Sequence, residues 1–344
     1  MRVLENEALF SVLKQYGILP QYMEAISKKV HKVYTNKGTY ALKKINGSHA
    51  QTLISNIQLL SQSRYKSFVP IYQTINQEWL AKKDDDFYYL MPWVENEKRP
   101  DMDDFYSQFF HELGNLHFQT KKEWMLDESI YENQFAFMLN RFEKEEQLLE
   151  KFLERCEKNW YMSPFELQAA MYMNETIQAL QFAKRELNEW YEKIKEAPVA
   201  RIVLNHGNLK NSHFIVNEDK KPFFINFERS YYATPIQDLI IFYQKRLTCQ
   251  PFECRQCLEW LMSYQNRFPL TEAERKLFLS YLAYPSAIIK MIYQYEKKSN
   301  EYTELEYCQR LLRRYWQMKN IEYVVMRWIE AENHEKAKNN PPSS

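Results

Sequence analysis

Glycine is nearly absent. The 344-residue chain holds 5, where an average share of about 7% would give about two dozen. Glycine lets a backbone approach a ligand closely, so its scarcity disfavours a phosphate-cradling loop. Long apolar runs are also missing, and none nears the roughly 18 residues that a membrane span requires. The start, MRVLENEALF, has no basic segment leading into an apolar one, which argues against a secretory signal. Charge of one sign is not in excess: 46 Lys and Arg face 45 Asp and Glu, for a net of +1. No broad field therefore attracts nucleic acid or an anionic membrane. These absences predict a chain made in the cytosol and soluble there at first, with neither nucleic-acid nor membrane partners. The cysteines (Cys156, Cys249, Cys254, Cys257, Cys308) are odd in number in a chain without an export signal. Reduced thiols are the expectation.

What is present is a globular composition, 45% hydrophobic and 26% charged, long enough for one two-lobed unit or two ordinary domains. Residues 1–27 carry a helical period, with Leu9, Phe10, Leu13 and Tyr16 on one face before Leu19-Pro20 breaks it. Lys28–Asn36 and Thr39–Asn46 read as a hairpin about an Asn36-Lys37-Gly38 turn. His49–Ser63 reads as a helix and Phe68–Thr74 as a strand. Glu78–Ala81 and Phe87–Trp93 then pair across the acidic turn Asp84-Asp85-Asp86, a solvated one.

Long helical periods follow over Asp104–Gln119, Tyr131–Asn159 and Ser163–Lys195, the last opened by a Ser163-Pro164 cap pair. From Gln237 to about Glu332 the pattern is helical again, with Trp260, Phe278, Leu282, Ile288, Leu311, Leu312 and Trp316 among its expected core. The tail 334–344 ends NNPPSS and reads as disordered.

Between the helical regions lies the densest cluster of polar residues at strand ends, Arg201 to Asp238. It reads as a short buried strand (Ile202–Leu204), a polar turn, and a hairpin with arms His213–Val216 and Phe223–Phe227 around the loop 217–221.

With these residues in view, most of the chain resembles the aminoglycoside and choline phosphotransferase branch of the protein-kinase-like superfamily. TYALKKI resembles the strand carrying the phosphate-contacting lysine, which puts that role on Lys43; a solvent-facing surface lysine is the alternative. YYLMPWVE resembles the hinge between lobes, and LGNLHFQT (Leu113–Thr120) the helix before the family's helical insertion. His206-Gly207-Asn208-Leu209 resembles the HGDL catalytic loop, and Ile225-Asn226-Phe227-Glu228 the IDF(D/E) metal motif. Asp238 stands where the family has a structural aspartate, and His206 is read as bracing the loop rather than reacting. YLAYPSAIIKMIYQYEKK (Tyr281–Lys298) resembles the spore coat proteins of endospore formers, the CotS, YutH and YsxE group.

The resemblance implies an α+β, bilobal kinase-like fold. A small antiparallel-sheet N-lobe would span 1–93, and a large, mostly helical C-lobe 94–333, the latter holding the loop cluster 201–228. It also implies where the chemistry has gone. Phosphoryl transfer needs a carboxylate base and anionic oxygens for magnesium. The base position is Asn208, whose neutral amide cannot take a proton; losing a general base alone costs about 10²–10⁴ in rate. The metal positions are His213, an imidazole where magnesium wants hard oxygen, and Asn226. Ser27-Lys28-Lys29-Val30 has no glycine where a phosphate loop would lie, and His49–Ser63 has no acid to pair with Lys43. Glu228 remains, so Lys43 and Glu228 could still hold ATP and magnesium weakly.

Two functions stay open at this level. One is a pseudokinase that serves as a structural and assembly protein of the spore coat, with other coat proteins as partners and no cofactor required. Tyrosine pairs such as Tyr231-Tyr232, or Tyr293 and Tyr295, suit such an interface. The other is an active phosphotransferase acting on a small molecule or a coat protein. A zinc site on Cys249, Cys254 and Cys257 is a third reading, disfavoured because no second CxxC or paired histidine accompanies it.

Overall fold

The computed structural model describes residues 2–96, 102–247, 250–297 and 302–339. In chain order its elements begin with α1 (Arg2–Gln15), β1 (Tyr22–Ser27), β2 (Val30–Thr35), β3 (Gly38–Ile45) and α2 (Ala50–Gln62). Next come β4 (Ala81–Lys83), β5 (Asp86–Pro92), α3 (Met102–Thr120), β6 (Lys122–Met125), α4 (Glu128–Lys158) and α5 (Pro164–Glu196). The short strands β7 (Val199–Asn205), β8 (Phe214–Val216), β9 (Pro222–Phe224) and β10 (Tyr231–Ala233) follow. The chain then runs through α6 (Ile236–Arg246), α7 (Gln256–Arg267), α8 (Glu272–Ala283), α9 (Ser286–Glu296) and α10 (Glu304–Asn339). These elements form two compact units, Met1–Lys122 with Ile202–Ala233, and Glu123–Arg201 with Thr234–Ser344. The α+β class expected from the sequence is what the elements form.

In the first unit a five-stranded antiparallel sheet has the order β1-β2-β3-β5-β4. Leu9, Val12 and Leu13 of α1 cover one patch of it, burying Val33, Leu42, Ala81, Tyr88 and Leu90. The helix period expected over 1–27 stops at Gln15, and 22–27 is strand instead. The reason is Gly17, at φ +68°, which lets the Ile18 N–H reach Leu13 O and its own N–H reach Lys14 O, a left-handed helix stop. Phe68–Thr74 is not a strand either and makes only single bridges, Phe68 to Phe224 and Tyr72 to Leu90. Pro70 sits in its middle and has no N–H for a ladder. The acidic turn is in place, but its first arm is Ala81–Lys83 rather than Glu78–Ala81, with Asp84 at φ +53°.

The loop cluster packs in this same unit. β7 pairs antiparallel with β10, an unanticipated strand, through Asn205 and Tyr231, Leu204 and Tyr232. The β8–β9 hairpin ends at Phe224, three residues short of the expected arm, because the backbone turns at Asn226 into a single 3-10 turn, Phe227–Arg229. Beneath it Phe105 and Phe109 of α3 meet Phe214 and Phe224 edge-on, with ring centroids 5.2–5.4 Å apart. Edge-to-face rings contribute about 0.5–1.5 kcal/mol each beyond their burial. This cluster fixes the hairpin from which the site residues project.

The second unit is helical. α5 opens with a capping box in which Ser163 Oγ accepts from the Glu166 N–H and Glu166 reaches back to the Ser163 N–H. Arg155 of α4 donates to Glu166 at 2.8 Å. α10 continues to Asn339 through the first part of the expected disordered tail, where Glu, Ala and Lys are strong helix formers. Residues 340–344 lie outside the described residues. Of the expected helical core, Trp260, Phe278, Leu282, Ile288 and Leu311 are buried, but Leu312 is 40% exposed. The expectation of reduced thiols fails at Cys254 and Cys257, which form a disulfide just before α7, their Cα atoms 5.2 Å apart. Cys156 and Cys308 are free, and Cys249 lies outside the described residues. No helix among the described residues is long and apolar enough to cross a membrane.

Candidate functional site

β3 lies between β2 and β5, and its alternation turns Lys43 inward, opposite Val30 on one side and Tyr89 on the other. The residue is 8% exposed. Its ammonium donates to Asn226 Oδ1 and to Glu228 Oε1, both at 2.5 Å. Burial lowers the Lys43 pKa, Glu228 opposes that, and the Lys29 charge reinforces it. Burial acts on Glu228 in the opposite sense, pushing its carboxyl up, but the charge and hydrogen bond of Lys43 outweigh it and hold the group below the usual carboxylate range. Glu228 Oε2 is buried with no hydrogen-bond partner. α2 carries no acidic residue at all, so the lysine finds its counter-charge on the 3-10 turn instead.

Asn226 has left-handed backbone, φ 71° and ψ 50°. Short Asn and Asp side chains tolerate that region. An amide can therefore replace a carboxylate here without moving the chain.

The neighbouring loop is held by its own polar groups. His206 is fully buried, its Nε2–H donates to Ile225 O at 2.8 Å, and its Nδ1 accepts from the Asn208 N–H at 3.3 Å. Those two bonds assign a neutral ring protonated at Nε2. Gly207 has φ +73°, and a Cβ there would lie 2.1 Å from the Arg229 carbonyl oxygen. His213 Nδ1–H donates to Asn208 O at 2.9 Å. Burial, and after it the nearby Lys43 charge, lowers the His213 pKa to about 4. The structure thus brings Lys43, Asn226 and Glu228 together, with His206, Asn208 and His213 on the adjoining loop. Asp238 is fully buried in the first turn of α6, in the second unit.

A cavity of about 610 Å³ opens beside Lys43 and Asn226, within the range of small-molecule sites, about 300–1,000 Å³. Ile26, Val30, Ala41, Met91, Ile215 and Ile225 give it apolar walls. The sequence reading gave none of these a place in a cavity wall, although the alternation of their strands was the available signal. At the cavity edge the turn Ser27–Val30 folds on itself, with the N–H groups of Lys29 and Val30 both donating to Ser27 Oγ at 3.2 Å. Those amides are committed to the turn.

The donor set does not suit magnesium. Its oxygens near Lys43 are one carboxylate, Glu228, and one amide, Asn226, and both already accept from the ammonium. Among the described residues no group of three or more His, Cys, Asp or Glu side chains is placed to hold a metal. Magnesium demands a near-octahedral shell of hard oxygens.

Comparison with known proteins agrees with the geometry. The model of the phosphotransferase enzyme family (APH) matches residues 24–277. The chain belongs to this family. Among solved structures it is similar to an aminoglycoside phosphotransferase from Alicyclobacillus acidocaldarius, with a TM-score of 0.69 at 13% identity over 94% of this chain and 96% of that one. A spectinomycin phosphotransferase in its AMP-bound complex superposes with a TM-score of 0.53 at 14% identity, covering 93% and 98%. A microcompartment-associated aminopropanol kinase gives 0.51 at 11%, covering 95% and 98%. Identities this low show a shared kinase-like fold and nothing finer. Among curated proteins none matches.

Proposed function

We propose that this phosphotransferase-family chain does not transfer phosphoryl groups and serves as a structural and assembly protein of the spore coat. The observation that carries the first half is the Lys43 ammonium bound between the amide of Asn226 and Glu228, beside a loop whose base position is the amide of Asn208. The resemblance of Tyr281–Lys298 to coat proteins supports the second half, and other coat proteins are then the partners. The apolar cavity beside Lys43 has the size and lining for a nucleobase, and relatives of this fold have been crystallised with AMP and ADP. Nucleotide is thus a ligand of the cleft rather than a substrate, bound without a tight magnesium.

One observation favours a second reading, an active phosphotransferase. Glu228 Oε2 is a buried acceptor without a partner, and it could turn to a nucleotide-bound magnesium. Phosphate release from ATP and transfer to candidate small molecules or coat proteins, measured against heat-denatured chain, separates the two. A rate well above that control removes the proposal. For the assembly role, tagged chain in sporulating cells should locate to the coat and co-purify with coat proteins; even distribution through the cytosol contradicts it.

A further inference from the structure

We propose that a second cavity, within the second unit, binds a small amphipathic anion, a carboxylate or phosphate ester carried on an apolar body. The cavity measures about 650 Å³, again within the range of about 300–1,000 Å³ typical of ligand sites. Leu282, Ile288, Ile289, Met318 and Ile321, all buried, give it an apolar floor. Its charged lining is lopsided: Arg141, Lys144, Lys290 and Arg314 face a single carboxylate, Glu145.

That carboxylate is already engaged. One oxygen accepts from Arg141 Nε at 3.1 Å, and the other accepts from the Tyr284 hydroxyl. Arg314 donates to the Gln317 side-chain oxygen at 3.0 Å, which leaves its charge uncompensated. Lys144 and Lys290 make no hydrogen bond or ion pair among the described residues. Three cations thus surround an apolar hollow with no protein carboxylate to balance them. Their mutual repulsion is relieved by an anion, and low-dielectric walls strengthen that attraction.

The local backbone adds the same sign. α9 starts at the cavity, where Pro285, Ser286 and Ala287 contribute to the wall, and a helix N-terminus carries a partial positive charge. This wall belongs to Tyr281–Lys298, a stretch to which phosphoryl-transfer chemistry gives no role. The floor decides against a bare inorganic anion, which would leave the apolar surface wet.

Fluorescence titration of the full chain with anilinonaphthalene sulfonate, an aromatic sulfonate, tests this beside uncharged N-phenylnaphthylamine. Two variants accompany the wild type: K144E/K290E/R314E, changed only at exposed positions, and Ala287→Trp, which fills the hollow. Circular dichroism and melting establish that each is folded. The expected result is one saturable sulfonate site that weakens by at least about tenfold on charge reversal and is lost in Ala287→Trp. The neutral probe should bind the charge-reversed chain as it binds the wild type. Equal sulfonate affinity in the wild type and the charge-reversed variant overturns the proposal, as does the absence of saturable binding. Should Ala287→Trp fail to fold, the charge-reversed variant decides alone.

Discussion

Lys43 and Glu228 form an ion pair of 2.5 Å with side chains only 10% and 17% exposed. In this protein a strand lysine and the last residue of the INFE motif satisfy each other directly, with Asn226 Oδ1 as the lysine's second acceptor. Removing one member leaves the other charge buried alone. Lys43→Met should therefore lower the unfolding free energy by about 3–5 kcal/mol. The double variant Lys43→Met/Glu228→Gln should lose much less than the sum of the two single variants, because neither charge remains unpaired. Urea denaturation of the set measures the coupling, and strictly additive losses contradict the pairing.

The acid limb of stability should have two separable parts. His213 has a folded pKa of about 4, below the roughly 6.5 of an unfolded histidine. Between those values the unfolded chain binds more protons, so stability rises with pH across that window and is lost as pH falls through it. Glu228 also has a depressed folded pKa. Its contribution is present above the unfolded carboxylate value of about 4.3 and is lost at lower pH, as its own folded value is passed. His213→Gln should flatten the decline between about pH 6.5 and 4.5, worth roughly 2 kcal/mol in the wild type, and keep the steeper loss below. Thermal denaturation across pH reads this, and an unchanged slope in the variant would mean that other groups carry it.

Gly207 is the least replaceable residue of the loop. Its φ of +73° is one strain for any side chain, and the Arg229 carbonyl oxygen 2.1 Å from a new Cβ is another. That obstacle is backbone, which cannot swing aside. Gly207→Ala should cost about 3 kcal/mol or more, or prevent folding. Gly38→Ala is the control, since no atom lies within 4 Å of a Cβ built there although φ is +138°. Equal melting temperatures for the two variants would refute the steric account.

The architecture was legible because period and punctuation agree over long stretches: the Ser163-Pro164 cap pair, the helix of Leu53, Ile57 and Leu60, and the hairpin about Asn36. HGNL and INFE also hold the two residues, Gly207 and Asn226, whose backbone is left-handed in the structure. Less visible were elements defined by pairing rather than pattern. β1 is an edge strand with mostly exposed side chains, and β10 exists through its ladder with β7. Nor does any local signal in TYALKKI tell that Lys43 bonds Asn226 and Glu228, 183 and 185 residues away. The Cys254–Cys257 bond was missed because absence of an export signal says nothing about local geometry, and here a turn sets the two Cα atoms 5.2 Å apart.

That disulfide closes a very short loop, with the cysteines 3 apart in sequence. The chain-entropy relation then assigns it only about 2 kcal/mol. Cys254→Ser/Cys257→Ser should lower stability by about that amount. A thiol reductant should do the same to the wild type and nothing further to the variant. Denaturation in the presence and absence of reductant checks this, and mass spectrometry counts the free thiols. A reductant effect that persists in the variant would place the sensitivity elsewhere.

Introducing two carboxylates tests the proposal that the site does not transfer phosphoryl groups. Asp fits left-handed backbone as Asn does, so Asn226→Asp should leave the turn at φ 71° intact. Asn208→Asp returns a proton acceptor to the base position. In the wild type, ATP should raise the melting temperature equally with magnesium or with a chelator, since among the described residues Glu228 is the one carboxylate that pairs with Lys43. In the double variant the ATP-dependent shift should become magnesium-dependent, growing by a few degrees as affinity rises about tenfold to a hundredfold. Full turnover is not expected in the double variant, because the Lys29 and Val30 amides of the Ser27–Val30 turn still donate to Ser27 Oγ. A magnesium effect of equal size in both chains would show that Glu228 and the nucleotide suffice to hold the metal, and the active reading would then take precedence.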